Sequence, residues 1–132
     1  MPFVLDASVT ACWCFPDETA PASDAAMDRL PRDHAAVPAL WWFEVRNILI
    51  VNERRGRIES ADSDVFLNDL AHLPIRIERG PDERLVVALA RKHRLTAYDA
   101  AYLDLAVRLT APMATLDRAL ADAALAEGLE LV

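Results

Sequence analysis

The sequence has no apolar run long enough to cross a membrane, because no uncharged stretch approaches the roughly 18 residues that a spanning helix needs. Its first apolar run is interrupted by Asp6 and follows no basic segment, so we expect no secretory signal peptide. We therefore expect a cytoplasmic chain without a membrane partner. Charged residues make up 27% of the chain and hydrophobic residues 54%, which is typical of a chain that folds into one domain.

Residues suited to zinc or disulfide chemistry are scarce. The two cysteines, Cys12 and Cys14, lie close together in a segment that we expect to be helical, where their side chains point apart. Two thiols also fall short of the four ligands of a structural zinc site, and the three histidines are scattered without zinc spacing. We therefore interpret the cysteines as small buried hydrophobic residues.

Positive charge is also in short supply, since the formal net charge is −7 and Lys92 is the only lysine. Such a chain is not expected to coat nucleic acid nonspecifically, because that requires a basic face. An enzyme acting on RNA is still compatible with this charge if a metal ion held by acidic side chains meets the phosphate. The two basic segments, residues 54–57 and 91–94, are either phosphate contacts or solvated helix ends.

Proline and glycine divide the sequence into short apolar runs that alternate with helical patterns. This alternation predicts an α/β fold, with a central parallel sheet of four to five short strands flanked by about seven helices. Gly56 follows the longest helical pattern and is expected at its C-terminal cap. We expect one domain over residues 1–132. The strand candidates are residues 3–5, 35–37, 75–77, 113–115 and 129–131, and the helix candidates are 8–15, 20–30, 40–55, 60–73, 81–93, 96–108 and 117–127.

Two aspartates are expected at the same edge of this sheet. Asp6 directly follows the first strand candidate, and Asp117 comes shortly after the fourth one, which ends at Thr115. Ligands of open parallel sheets bind beyond the carboxyl ends of the strands, so both acids lie where a site would form. Each aspartate could instead serve only as the N-cap of the helix that follows it.

Glu44 is the most informative residue, because it lies in a helical segment that is apolar on nearly every side. A carboxylate in such a place is costly unless it is paired, protonated or bound to a metal ion. Asn47 lies one helical turn later on the same face, so the two side chains offer an oxygen-rich corner for a hard cation. The alternative is an internal ion pair with an arginine, such as Arg46 or Arg108.

Three further aspartates need separate interpretations. Asp99 begins an apolar helical stripe, but Thr96 before it completes the pattern of a capping box, so capping alone would also explain this acid. Asp104 and Asp122 each lie five residues beyond a proposed ligand, which rotates them off the ligand's face of the helix. We expect both to be solvated.

The four acids support a metal site more strongly as a group than any one of them does alone. Two carboxylates repel each other by about 4 kcal/mol at a separation of about 4 Å and an effective dielectric constant of about 20. A fold that gathers several of them therefore needs a compensating cation, and Mg²⁺ accepts carboxylate oxygens while leaving room for a phosphate. Such a site would hydrolyse phosphodiester bonds without a protein nucleophile.

The segments that carry these acids resemble the four motifs of the PIN-domain family, and specifically of its VapC-type toxin branch. Asp6 and Ser8 match an acid followed by Ser or Thr after the first strand, and Glu44 and Asn47 match a Glu then an Asn on a helix. The resemblance covers essentially the whole chain, in the order and spacing of the family. The matching segments are residues 3–8, 38–47, 95–103 and 115–120.

This resemblance implies an endoribonuclease that depends on Mg²⁺ or Mn²⁺ and serves as the toxin of a type II toxin–antitoxin pair. It also implies a homodimer, an RNA substrate and a cognate antitoxin that inhibits the enzyme. The implied catalytic and metal-binding acids are Asp6, Glu44, Asp99 and Asp117, and the implied supporting residues are Ser8, Asn47 and Thr115.

Two other functions remain as alternatives. A catalytically silent PIN-like module would only bind a partner, although the presence of all four acids argues against it. A phosphoaspartyl phosphatase would also place an aspartate after its first strand, but it needs a lysine after a later strand and a second acid near the first. Here Lys92 lies inside a helical segment and residue 8 is Ser8. Phe43 and Ile50, on one side of the long helix, are candidates for facing a second subunit.

Overall fold

The computed structural model describes the whole chain, Met1–Val132, and confirms the predicted α/β fold. Short strands alternate with helices along the sequence, and no helix combines the length and apolarity that a membrane crossing requires. The strands are β1 (Phe3–Leu5), β2 (Ala35–Val37), β3 (Ile75–Ile77) and β4 (Met113–Ala114). The helices are α1 (Ala7–Cys12), α2 (Pro21–Arg29), α3 (Ala39–Arg54), α4 (Ser60–Leu70), α5 (Glu83–His93), α6 (Ala97–Leu109) and α7 (Arg118–Ala126).

The four strands form one parallel sheet in the order β3-β2-β1-β4. Every residue of the central strands β1 and β2 is completely buried, which explains why their sequences are continuously apolar rather than alternating. The edge strand β3 is more exposed, above all at Ile77. The predicted strand at 129–131 is reduced to a single parallel bridge between Met113 and Leu131, so four strands form the sheet.

Helix α3 is held against α1 by a buried stripe. Trp41, Val45 and Leu49 recur at four-residue spacing and are all buried. The indole Nε1 of Trp41 donates to Thr10 Oγ1 over 2.9 Å. These contacts fix the rotation of α3 about its axis, and therefore the direction in which Glu44 projects.

Helix α3 ends as the sequence predicts, at a glycine. Gly56 adopts a left-handed conformation with φ of +71°, which a residue without Cβ accepts at little cost. Its N–H donates to Glu53 O, and the N–H of Arg57 donates to Asn52 O, each over 3.0 Å. This pair of bonds is a Schellman motif, which satisfies carbonyls that the helix end would otherwise leave open.

The prediction that Asp104 is solvated is wrong. Its side chain is 0% exposed and pairs with Arg108, whose Nη2 lies 2.9 Å from Asp104 Oδ2. The reason is that α6 is buried around most of its circumference, because α5, α7 and the sheet all pack against it. Rotation away from the face of Asp99 therefore does not lead to solvent. Asp122 is solvated as predicted, with 67% of its side chain exposed.

Candidate active site

Asp6 lies at the carboxyl end of β1, where two hydroxyl groups hold its carboxylate. Ser8 Oγ and Thr115 Oγ1 each donate to Asp6 Oδ2 over 2.7 Å, and the side chain is almost fully buried. Asp6 occupies the N-cap position of α1, but its side chain makes no capping hydrogen bond, so its interpretation as a simple cap is wrong. The loops after β1 and β4 together fix the orientation of this carboxylate.

The same two hydroxyl groups join those loops. Ser8 Oγ accepts from the backbone N–H of Leu116, and Thr115 Oγ1 accepts from the backbone N–H of Asp117, each over 3.0 Å. Each hydroxyl therefore accepts one hydrogen bond from a backbone N–H and donates one hydrogen bond to Asp6. This arrangement ties the position of Asp117 to that of Asp6, although the two are far apart in sequence.

Asp117 caps α7, as the alternative interpretation of this residue predicts. Its Oδ1 accepts from the backbone N–H of Leu120 over 2.9 Å, while no group of the protein donates to Oδ2. Burial raises the pKa of both Asp6 and Asp99, and the negative charge of Asp117 raises each pKa further. Asp117 therefore lies within electrostatic reach of both while it caps its helix.

Glu44 is half-buried on α3, and its partner is a tyrosine rather than an arginine. Tyr102 Oη donates to Glu44 Oε1 over 2.6 Å. The alternative of an ion pair is wrong, because Arg46 stacks over the ring of Trp42 and Arg108 pairs with Asp104. Burial raises the pKa of Glu44, the charges of Asp6 and Asp99 raise it further, and the bond from Tyr102 lowers it.

Asp99 lies in the first turn of α6, at the end that faces the other acids. Its backbone N–H donates to the capping Thr96 Oγ1 over 3.1 Å, but the Asp99 side chain does not return the bond, so only half of the predicted capping box forms. Burial raises the pKa of Asp99, the charges of Asp117 and Asp6 raise it further, and the side chain of Thr96 lowers it. Capping of the helix is therefore done by Thr96, and the carboxylate of Asp99 is not required for it.

The four acids form one electrostatically coupled group at the carboxyl edge of the sheet. Three of them have raised pKa values, and in each case the charge of another member contributes. No three of the Asp, Glu, His and Cys side chains are gathered closely enough to enclose a cation as they stand. Repulsion among the carboxylates opposes a closer approach, since no arginine, lysine or histidine forms an ion pair with any of them.

Tyr102 is the site residue that sequence reasoning misses. The sequence places it on the same face of α6 as Asp99, one turn later, but assigns it no role. It is completely buried, and burial together with its bond to Glu44 raises the pKa of Tyr102, so its hydroxyl stays a donor. The spacing from Asp99 is the only signal in the sequence, because the contact with Glu44 joins two distant helices. The side chain of Asn47 is exposed near Glu44 and makes no hydrogen bond within the protein.

A family model, a protein of similar sequence and a solved structure all relate this chain to the same group of proteins. The family model described as PIN domain matches residues 3–125. Ribonuclease VapC3 from Pyrobaculum aerophilum is 31% identical over 125 residues, which cover 92% of this chain and 94% of that protein. The crystal structure of PAE2754 from the same organism superposes with a TM-score of 0.74 and 23% identity, covering 93% of this chain and 84% of that one, which establishes a shared fold. The chain therefore belongs to the PIN-domain family, in its VapC-type branch.

Proposed function

We propose that this chain is a divalent-metal-dependent endoribonuclease that hydrolyses RNA phosphodiester bonds. The observation that carries the proposal is an acidic site without a protein cation, since no arginine, lysine or histidine forms an ion pair with any of the four acids. Repulsion among such carboxylates is relieved when a cation binds. The name of the relative, Ribonuclease VapC3, supports RNA as the substrate. The proposed catalytic and metal-binding residues are Asp6, Glu44, Asp99 and Asp117.

The donor set fits Mg²⁺ or Mn²⁺. Each of the four acids offers only oxygen atoms, and hard divalent cations prefer oxygen ligands. When bound, such an ion supplies Lewis-acid stabilisation of charge on the phosphate and favours attack by water. Asp6 and Asp117 each keep a carboxylate oxygen to which no side chain donates, so both can serve as ligands without losing their present contacts.

The neighbouring side chains orient the acids. Ser8 and Thr115 hold Asp6, so its carboxylate does not need to reorganise when a cation binds. Tyr102 holds Glu44 in the same way. We assign Asn47 to contact a water molecule or the substrate, because it is exposed beside Glu44 and has no partner within the protein.

The proposal extends to the biological role that the VapC-type branch suggests. We propose that residues 1–132 form one PIN domain that acts in the cytoplasm as the toxin of a type II toxin–antitoxin pair. Its partners would be the RNA substrate, a cognate antitoxin protein and a second copy of the chain in a homodimer. The family match over residues 3–125 and the relationship to Ribonuclease VapC3 support this assignment.

Metal removal tests the proposed reaction directly. Purified protein is incubated with end-labelled RNA in EDTA and again after Mg²⁺ or Mn²⁺ is restored. We expect internal cleavage only in the presence of the ion, because the acids need it to approach a phosphate. A catalytically silent interaction module would leave the RNA intact in both conditions, and cleavage that persists in EDTA would contradict the proposed mechanism.

Tyr102→Phe tests the role of the tyrosine that holds Glu44. The substitution keeps the ring in the core and removes only the hydroxyl donor. We expect the Mg²⁺ concentration for half-maximal cleavage to rise about tenfold or more, since partners that orient metal ligands typically contribute this much to affinity. Ser63→Ala, which removes a buried hydroxyl on α4 that has no hydrogen-bond partner, is the matched control and should leave the Mg²⁺ dependence unchanged. Equal Mg²⁺ dependence in Tyr102→Phe and the wild type would remove the positioning role.

A further inference from the structure

A groove runs along α3 away from the acidic site, and the proposed reaction leaves it without a role. We call it the α3 groove, and its volume is about 570 Å³. Glu44 and Asn47 lie in its wall, so it is continuous with the acidic site. Its remaining wall is formed by Leu40, Phe43, Arg46, Ile50, Arg54 and Tyr98.

The composition of this wall combines two kinds of side chain. Phe43 and Tyr98 are 66% and 65% exposed, and the one aromatic contact of either ring is the edge-to-face contact of Phe43 with Trp42, whose centroids lie 5.0 Å apart. Arg46 and Arg54 supply positive charge in a chain whose net charge is −7. Neither forms an ion pair, and the guanidinium of Arg46 lies over the ring of Trp42. Exposed aromatic faces beside unpaired cations match the bases and phosphates of an unpaired nucleic-acid strand.

The dimensions agree with a strand of several nucleotides. Arg54 lies ten residues after Glu44 on α3, which is about 15 Å at a rise of ~1.5 Å per residue. A stacked strand rises by about 3.4 Å per nucleotide, so this length accommodates about four nucleotides. A phosphate at Glu44 would therefore be followed by others that pass Arg46 and Arg54.

We propose that the α3 groove binds the single-stranded RNA that leads into the acidic site, with a base stacked on Phe43 or Tyr98 and a backbone phosphate at Arg54. This proposal rests on the proposed function, and it identifies where the part of the RNA that the acids do not contact would bind. It selects for unpaired RNA, because a base within a duplex has no free face to stack on an aromatic side chain. This assignment replaces the expectation that Phe43 and Ile50 face a second subunit, because a second copy of the chain would not need two arginines without acidic partners beside the aromatic residues.

RNA binding by variants of the full chain tests this assignment. All variants carry Asp6→Asn to stop turnover, and the probe is a short fluorescein-labelled single-stranded RNA of mixed sequence in Mg²⁺ buffer. We expect Phe43→Ala and Tyr98→Ala each to raise the Kd about fivefold or more, through the lost stacking. Arg54→Ala should raise the Kd and lower the slope of log Kd against log salt by about 0.7, the value for one phosphate contact.

Two exposed neighbours provide matched controls. Arg55→Ala removes the adjacent charge outside the groove, and Val65→Ala removes an exposed apolar side chain on α4. Both should leave the Kd close to the parent value, and a duplex of the same sequence should bind more weakly than the single strand. A Kd that is unchanged in Phe43→Ala and Arg54→Ala overturns the proposal. So does light scattering that shows loss of a dimer with unchanged RNA affinity, because the groove would then belong to a second copy.

The proposal for the α3 groove and the proposal for the acidic site can be rejected independently of each other. If RNA cleavage requires Asp6 but RNA affinity is indifferent to Phe43, Tyr98 and Arg54, the proposal for the groove is overturned while the nuclease proposal stands. If RNA affinity depends on those three residues but Asp6→Asn cleaves as fast as the wild type, the groove is supported and the acidic mechanism is rejected.

Discussion

Asp6→Asn is expected to lower the rate of RNA cleavage about 100-fold or more while the protein stays folded. The substitution removes a charge that a cation would bind, but Asn keeps an oxygen that can accept from Ser8 and Thr115, whose hydroxyls now hold the carboxylate. The loops after β1 and β4 should therefore remain joined. Cleavage of end-labelled RNA at several Mg²⁺ concentrations measures the effect.

The same substitution should increase stability in the absence of a divalent ion. Burial raises the pKa of Asp6, and the charge of Asp117 raises it further, so the charged form is less favourable in the folded chain than in the unfolded chain. The stability of the metal-free wild type therefore falls as the pH rises through the pKa of Asp6. Asn removes this cost at neutral pH, and we expect a gain of about 1 kcal/mol, or a Tm higher by about 3 °C.

Addition of Mg²⁺ should make the wild type more stable than Asp6→Asn. The ion binds the folded wild type and raises its Tm, whereas the Tm of Asp6→Asn should respond weakly. Asp122→Asn removes an exposed aspartate and should match the wild type in cleavage and in both melting experiments. Wild-type cleavage by Asp6→Asn would reject the acidic site as the centre of the reaction, and a large loss of stability would show that Asp6 is structural.

Most of the fold can be predicted from local sequence, because each element carries its own signal. Continuous apolar runs mark the two central strands, and Gly56 marks the end of α3. The segment at 129–131 has the composition of a strand but forms a single bridge with Met113. Strand length is set by the neighbour with which a segment pairs, and the sequence of one segment does not contain that information.

Asp104 shows where periodicity is insufficient. The sequence correctly predicts that Asp104 and Asp99 point in different directions from α6. A side chain that points away from Asp99 reaches solvent, however, only where that side of the helix is exposed. Because α6 is covered by two helices and the sheet, the burial of Asp104 depends on tertiary packing. The i,i+4 spacing to Arg108 is the one sequence feature that indicates the pair.

The acids of the candidate site and the supporting residues Ser8 and Thr115 are predicted from the sequence, whereas the role of Tyr102 and the contacts that orient the acids are not. The positions of Asp6 and Asp117 follow from parallel topology, since both come after a strand end. Ser8 lies two residues from Asp6, but the contacts of Thr115 with Asp6 and of Tyr102 with Glu44 join residues that are far apart in sequence. Only a packed structure reveals such partners, and the roles of the acids stay predictions until they are tested.

Arg108→Ala is expected to lower the free energy of unfolding by about 3 kcal/mol, because it leaves the buried carboxylate of Asp104 without a counter-charge. This loss of stability is at the low end of the range for broken buried ion pairs, because the guanidinium of Arg108 is partly exposed. Arg108 also donates from Nη2 to Arg79 O over 3.3 Å. A Cβ at Gly80 would stand 2.6 Å from that nitrogen, so the arginine packs closely against the loop before α5. Urea unfolding followed by circular dichroism measures the change.

The molecule provides a matched control for this prediction. Arg118 and Asp122 are also four residues apart on a helix, but both are exposed and their atoms lie 4.0 Å apart. Arg118→Ala should therefore change stability by less than about 0.5 kcal/mol. Adding Asp104→Leu to Arg108→Ala should restore most of the lost stability, since two apolar residues leave no charge buried. Equal effects of Arg108→Ala and Arg118→Ala would show that burial does not strengthen the first pair.

The location of the Asp104–Arg108 pair gives the same experiment a functional readout. Helix α6 carries Asp99 in its first turn and Tyr102 one turn later, and the pair fixes the following turns of that helix. If the pair acts only through folding, cleavage by Arg108→Ala should fall in proportion to the folded fraction and match the wild type wherever both are fully folded. A rate that is reduced while the protein remains folded would instead mean that the pair also holds Asp99 and Tyr102 in register with Glu44.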